Sequence, residues 1–151
     1  MPQSRSRTII ETIRTDLGND LFLLGHHYQT DEVIRHVDMR GDSLALAQEI
    51  PHTDATRIVF CGVYFMAESA AILTKPGQEV YIPNAKARCV MSAMAPAPLL
   101  KAVLEQLSTQ GRKIIPLTYV NSSAAVKAVC GEHGGSVCTS SNAGKMLTWA
   151  M

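Results

Sequence analysis

Two kinds of apolar patterning alternate along the chain. Short aliphatic and β-branched runs read as buried strands: LFLLG at 21–25, RIVFCGV at 57–63, EVYIP at 79–83, KIIPL at 113–117 and SVC at 136–138. Between them, apolar residues recur at helical spacing in RTIIETIRTDL, TDEVIRHV, SLALAQEI, FMAESAAILTK, PLLKAVLEQLSTQ and SAAVKAV. Gly18-Asn19 and Gly111 act as helix stops, and Thr30 and Asp31 read as N-caps for the segment carrying Val33 and Ile34. Continuously apolar strands that alternate with helices imply a parallel sheet covered on both faces, a three-layer α/β/α sandwich.

The clearest break in this pattern is AMAPAPLL, where Pro96 and Pro98 precede a new helix. It divides the chain into a first α/β domain at 1–95 and a partial second at 96–151. ESAAIL, NSSAAVKA and SSNAGKML echo one another, each opening a helix with small residues, as a decayed βα repeat would. SNAGKMLTWAM reads as the first turns of a helix with no stop signal after it, so a truncated product is expected.

Composition narrows the function classes. Apolar residues make up 46% and charged residues 18%, enough for a packed core and too apolar for a disordered chain. The formal charge of +1 argues against a dedicated nucleic-acid binder, which should show a basic face. No apolar run approaches the ~18 residues that a membrane span needs. MPQSRSRTIIETIR lacks the apolar stretch of a secretory signal, so a cytoplasmic protein is expected. The four cysteines, Cys61, Cys89, Cys130 and Cys138, form no CxxC pair, which removes support for zinc-ribbon and thioredoxin-like readings.

In open α/β sheets, ligands bind beyond the carboxyl ends of the strands. The residues that follow each run here are polar: His26, His27 and Tyr28; then Tyr64, Phe65 and Glu68; then Asn84, Lys86 and Cys89; then Tyr119, Asn121 and Ser122; finally Thr139, Ser140 and Asn142. NSS and TSSN each stand where a strand feeds a helix, a place for capping or for cradling a carboxylate or phosphate. GDS at 41–43 reads as a turn with Ser43 capping SLALAQEI. Because strand side chains alternate, at most one of His26 and His27 is expected to face a ligand. Cys89 beside Arg88 is placed to act as an exposed thiolate. No GxxxxGK[ST] or GxGxxG run is present, which disfavours nucleoside triphosphates and dinucleotides.

GHHYQTDEVIRHVDMRGDSLALAQEI, IVFCGVYFMAESAAIL, YIPNAKARC, TYVNSSAAVKAVC and VCTSSNAGK, in this order, closely resemble the N-terminal part of the quinolinate synthase A family, from about Leu21 to Lys145. The resemblance implies a pseudo-threefold family of three α/β domains, of which this chain carries the first and part of the second. It also implies a metal-dependent transferase of NAD (pyridine nucleotide) biosynthesis, condensing iminosuccinate with dihydroxyacetone phosphate to quinolinate. The family holds a [4Fe-4S] cluster with one cysteine from each domain. On that resemblance His26, Tyr28 and Tyr119 are catalytic. His26, Ser43, Phe65, Tyr119, Val120, Asn121 and Ser140 bind substrate, and Cys89 is the first cluster ligand. The two further cysteines lie outside this chain, so a missing C-terminal portion or a partner chain would supply them. The loop KARCVMSAM departs from the family's KAGCSMADM pattern, with Arg88 at a glycine position and Ala93 at an acidic one. Two rival readings follow. One is an inactive remnant that binds a small dicarboxylate; the other is an unrelated α/β enzyme holding a single metal ion through Cys89 and His26.

Overall fold

The computed structural model of the protein describes residues 2–151. They divide into two compact units, Met1–Ala87 and Arg88–Met151, so Cys89 belongs to the second. Both are α/β with parallel strands.

The first unit opens with helix α1 (Pro2–Leu17), which leads into strand β1 (Leu21–His26). Helix α2 (Asp31–Ile34), strand β2 (Met39–Gly41), helix α3 (Ser43–Glu49), strand β3 (Arg57–Cys61), helix α4 (Tyr64–Ile72) and strand β4 (Glu79–Tyr81) follow. The sheet runs β2-β1-β3-β4, all parallel, with Leu24 opposite Met39 and Phe60, and Arg57 opposite Glu79. Alternation along the strands sorts the faces. Leu24, Ile58 and Phe60 are fully buried with Leu46 of α3 and Ala70 of α4. Each such large apolar side chain contributes roughly 1.5–3 kcal/mol of burial free energy. Leu23, Val59 and Cys61 point the other way, into a groove of about 760 Å³ bordered by Ile10 of α1 and Val33 of α2. Arg14 of α1 is held by the His36 carbonyl and the Asp38 carboxylate.

The second unit holds helix α5 (Ala97–Ser108), strand β5 (Leu117–Tyr119), helix α6 (Ala124–Glu132), strand β6 (Ser136–Cys138) and helix α7 (Ala143–Ala150). β5 and β6 pair in parallel, with Tyr119 opposite Cys138. Val126, Val129 and Cys130 bury one face of α6. Gly135 is where the chain passes closest to itself. A Cβ there would lie 2.0 Å from the Pro116 carbonyl oxygen, so only glycine lets β6 start beside β5.

Several sequence expectations shift at their boundaries. KIIPL is not a strand through 113–117; pairing begins at Leu117. Pro116 has no N–H to give a ladder and serves as an acceptor, taking the Ser136 N–H at 3.1 Å. EVYIP likewise stops at Tyr81, ahead of Pro83. TDEVIRHV supplies a single helical turn, because Asp38 is drawn onto β1, where its carboxylate accepts the Leu23 N–H. β2 was not expected at all, since MRG has no apolar run.

Candidate functional site at the carboxyl ends of the strands

His26 closes β1 and is 4% exposed. Gly25 before it lets the strand run under Val37, whose Cγ1 would stand 2.8 Å from an added Cβ. The register sets His26 opposite Gly41, so Asp42 and Ser43 follow on the neighbouring strand at the same edge. Asp42, rather than Ser43, is the N-cap of α3. Its carboxylate accepts the Leu44 and Ala45 N–H groups, both at 2.9 Å. A carboxylate is the stronger acceptor there, and it leaves the Ser43 hydroxyl uncommitted in the first turn, 7% exposed.

The imidazole of His26 accepts the Tyr28 N–H at Nδ1 (3.3 Å), so its neutral form carries the proton on Nε2. Burial pushes its pKa below the ordinary imidazole value, and the neighbouring His27 pushes the same way against Asp42. His26 therefore acts as a neutral N–H donor near neutrality. Tyr28 is 81% exposed, with its ring centroid 4.3 Å from that of His26. Phe65, in the first turn of α4, is 3% exposed and spends its ring on the core.

In the second unit, the β5–β6 register carries Tyr119 and Ser140 off adjacent strand ends, and their hydroxyl oxygens lie 3.2 Å apart. Val120 is buried, its N–H bonded to the Cys138 carbonyl (2.8 Å), and Asn121 is half-buried beside it. Ser123 caps α6 by accepting the Val126 N–H at 3.3 Å, so this member of NSS has the ordinary capping role. Ser122, one of the polar residues expected past the strand end, has a buried hydroxyl with no hydrogen-bond partner. Cys89 is a half-buried free thiol whose carbonyl accepts the Ser92 hydroxyl (2.7 Å). Cys61 and Cys130 are free thiols too, their pKa values raised by burial.

The structure thus gathers His26, Tyr28 and Ser43 at one sheet edge and Tyr119, Val120, Asn121 and Ser140 at another. Among the described residues no three His, Cys, Asp or Glu side chains converge to hold a metal. The thiols present do not make up the donor set that an iron–sulfur cluster needs, which is at least three ligands around one centre. The His36 backbone carbonyl holds Arg14, and His133 Nδ1 bonds the Val129 carbonyl (2.9 Å). Among the described residues no helix is long and apolar enough to cross a membrane.

Comparison with known proteins adds a family. Residues 8–151 match the model of a family described as quinolinate synthetase A protein. A quinolinate synthase of Herpetosiphon aurantiacus is 49% identical over 145 residues, covering 93% of this chain and 39% of the relative. One from Nocardioides is 47% identical over 156 residues, covering 99% and 40%. One from Bacillus pumilus is 51% identical over 141 residues, covering 92% and 38%. The chain spans about two fifths of the length of these curated relatives.

Proposed function

Because this chain belongs to the quinolinate synthetase A family, we propose that it carries the substrate-binding strand ends of a quinolinate synthase. The reaction joins iminosuccinate to dihydroxyacetone phosphate; quinolinate forms while phosphate and two waters leave. The observation that carries this reading is the pair of buried polar groups at the edge of the first sheet. His26 offers an Nε2–H that no described residue uses, and Ser43 offers a hydroxyl beside it. Buried donors of this kind suit a carboxylate. In the second unit, taken by itself, the Tyr119–Ser140 hydroxyl pair offers a phenol suited to proton transfer, and Asn121 offers a side-chain amide for a polar group. Tyr28, exposed and with its ring tilted 57° against that of His26, borders the same site. Val120 contributes backbone, and Phe65 backs the first site from the core.

Cys89 is our candidate for one ligand of the [4Fe-4S] cluster, which when bound would act as a Lewis acid. Two further cysteines would have to come from a C-terminal portion or a partner chain. A cytoplasmic setting fits oxygen-sensitive chemistry of this kind, and neither nucleic acid nor membrane has a place in it.

The test is a chimera in which these 151 residues replace the matching segment of the Herpetosiphon aurantiacus synthase. It would be assayed without oxygen after iron and sulfide loading. Quinolinate should form in the chimera and not with the 151-residue chain alone. A folded chimera with no activity beside an active parent would overturn the proposal. A second reading is favoured by the loop KARCVMSAM, where Arg88 and Ala93 stand at the family's glycine and acidic positions. A chain that binds succinate but makes no product, even in the chimera, would be a dicarboxylate-binding remnant.

A further inference from the structure

The two adjacent histidines are locked in opposite tautomers. β1 ends at His26, so alternation stops there and His27 and Tyr28 turn back over it. The ring centroids lie 4.3 Å apart for His26 and His27, and 4.4 Å for His27 and Tyr28. His27 Nδ1 stands 3.2 Å from the Gly41 carbonyl oxygen, which can only accept, so this nitrogen carries hydrogen. The His27 N–H bonds the same carbonyl at 3.1 Å. His27 is exposed, with its Nδ1–H committed to Gly41. A proton on His26 Nδ1 would face the Tyr28 N–H and break that bond.

We propose that His27 is a positioning residue for His26: pinned to Gly41 and stacked on the His26 ring, it fixes that ring's orientation and keeps it a neutral Nε2–H donor for a substrate carboxylate. Burial first, and the neighbouring His27 with it, hold the His26 pKa below its ordinary value and so keep that ring neutral. The other charged or titratable groups around the pair are Asp42, which favours the cation on His26, the Tyr28 phenol, and Arg40, whose guanidinium reaches the His27 carbonyl at 3.4 Å. The inference rests on the reading of His26 as a substrate donor, and it assigns the flanking histidine a task.

The experiment is a pH series of two-bond proton–nitrogen spectra on the ¹⁵N-histidine-labelled 151-residue chain, with His27→Gln and His27→Phe beside it. In the unsubstituted chain His26 should be the Nε2–H tautomer and His27 the Nδ1–H tautomer, with the His26 midpoint below the ordinary imidazole value. Both variants should raise the His26 midpoint, His27→Phe included, although it keeps a ring in place. If His27→Phe leaves that midpoint where it was, His27 is packing alone and the proposal fails. If neither variant folds, the tautomers of the unsubstituted chain still decide it: His26 protonated on Nδ1 would overturn it. Because tautomers and midpoints are read without turnover, a folded chimera that makes no quinolinate would sink the functional reading and leave this result standing.

Discussion

The phenol oxygen of Tyr119 and the hydroxyl of Ser140 lie 3.2 Å apart, although 21 residues separate them in the chain. The parallel register that sets Tyr119, the last residue of β5, opposite Cys138 brings them together, and the turn beyond β6 carries Ser140 to it. The pair is exposed, so its hydrogen bond contributes little to folding and is free to serve a ligand.

Tyr119→Phe should therefore separate stability from function. Unfolding free energy should change by about 1 kcal/mol or less, the net worth of one exposed hydrogen bond. In the active chimera kcat/KM should fall by about 100-fold or more, as loss of a proton-transfer group does. Urea unfolding and steady-state kinetics would measure the two effects. A large stability loss with intact turnover would assign Tyr119 to the scaffold instead.

Gly135→Ala should act on the same site from a distance. The added Cβ meets backbone at 2.0 Å, which no side-chain rotation relieves. A cost of about 3 kcal/mol, at the upper end for overpacking, is expected in urea unfolding. An alanine variant as stable as the parent would show that β5 and β6 do not approach as closely as described.

The stability of the first unit should fall on acidification. The folded pKa of His26 lies below its ordinary value of 6.5, chiefly through burial. Between those two values the unfolded chain binds more protons than the folded one, so stability drops as pH decreases through that window. Below the folded value the histidine adds no further slope. His26→Gln should flatten this part of a stability–pH curve measured by chemical unfolding. A curve of unchanged slope would mean that His26 is not buried as a neutral group.

Thiol reactivity should follow burial. Cys130 is 1% exposed with its pKa raised, and alkylation requires the thiolate. Under native conditions mass spectrometry should find Cys89 and Cys138 modified before Cys130. Fast labelling of Cys130 would indicate that α6 opens readily.

Much of this was legible in the chain. LFLLG, RIVFC and SVC became strands because an uninterrupted apolar run has few other ways to be buried, and the strand-end rule marked His26, Tyr119 and Ser140 as neighbours of a ligand edge. MRG stayed hidden because a three-residue edge strand needs no apolar pattern, only a partner's free backbone. KIIPL misled because apolar content says nothing about which N–H groups exist, and Pro116 lacks one. GDS offers two good caps, and only the start of the helix selects Asp42 over Ser43.

The order of elements, the parallel α/β class and the family were written in local composition and in strings such as GHHYQ and YVNSS, because hydrophobic period and motif are properties of neighbouring residues. The pairing of Tyr119 with Ser140, the choice of Asp42 as cap, the opposed tautomers of His26 and His27 and the buried hydroxyl of Ser122 were decided by tertiary structure. Each depends on which carbonyl or N–H a distant or turning segment presents, and a backbone hydrogen bond is specified by register in space rather than by the residue types that flank it.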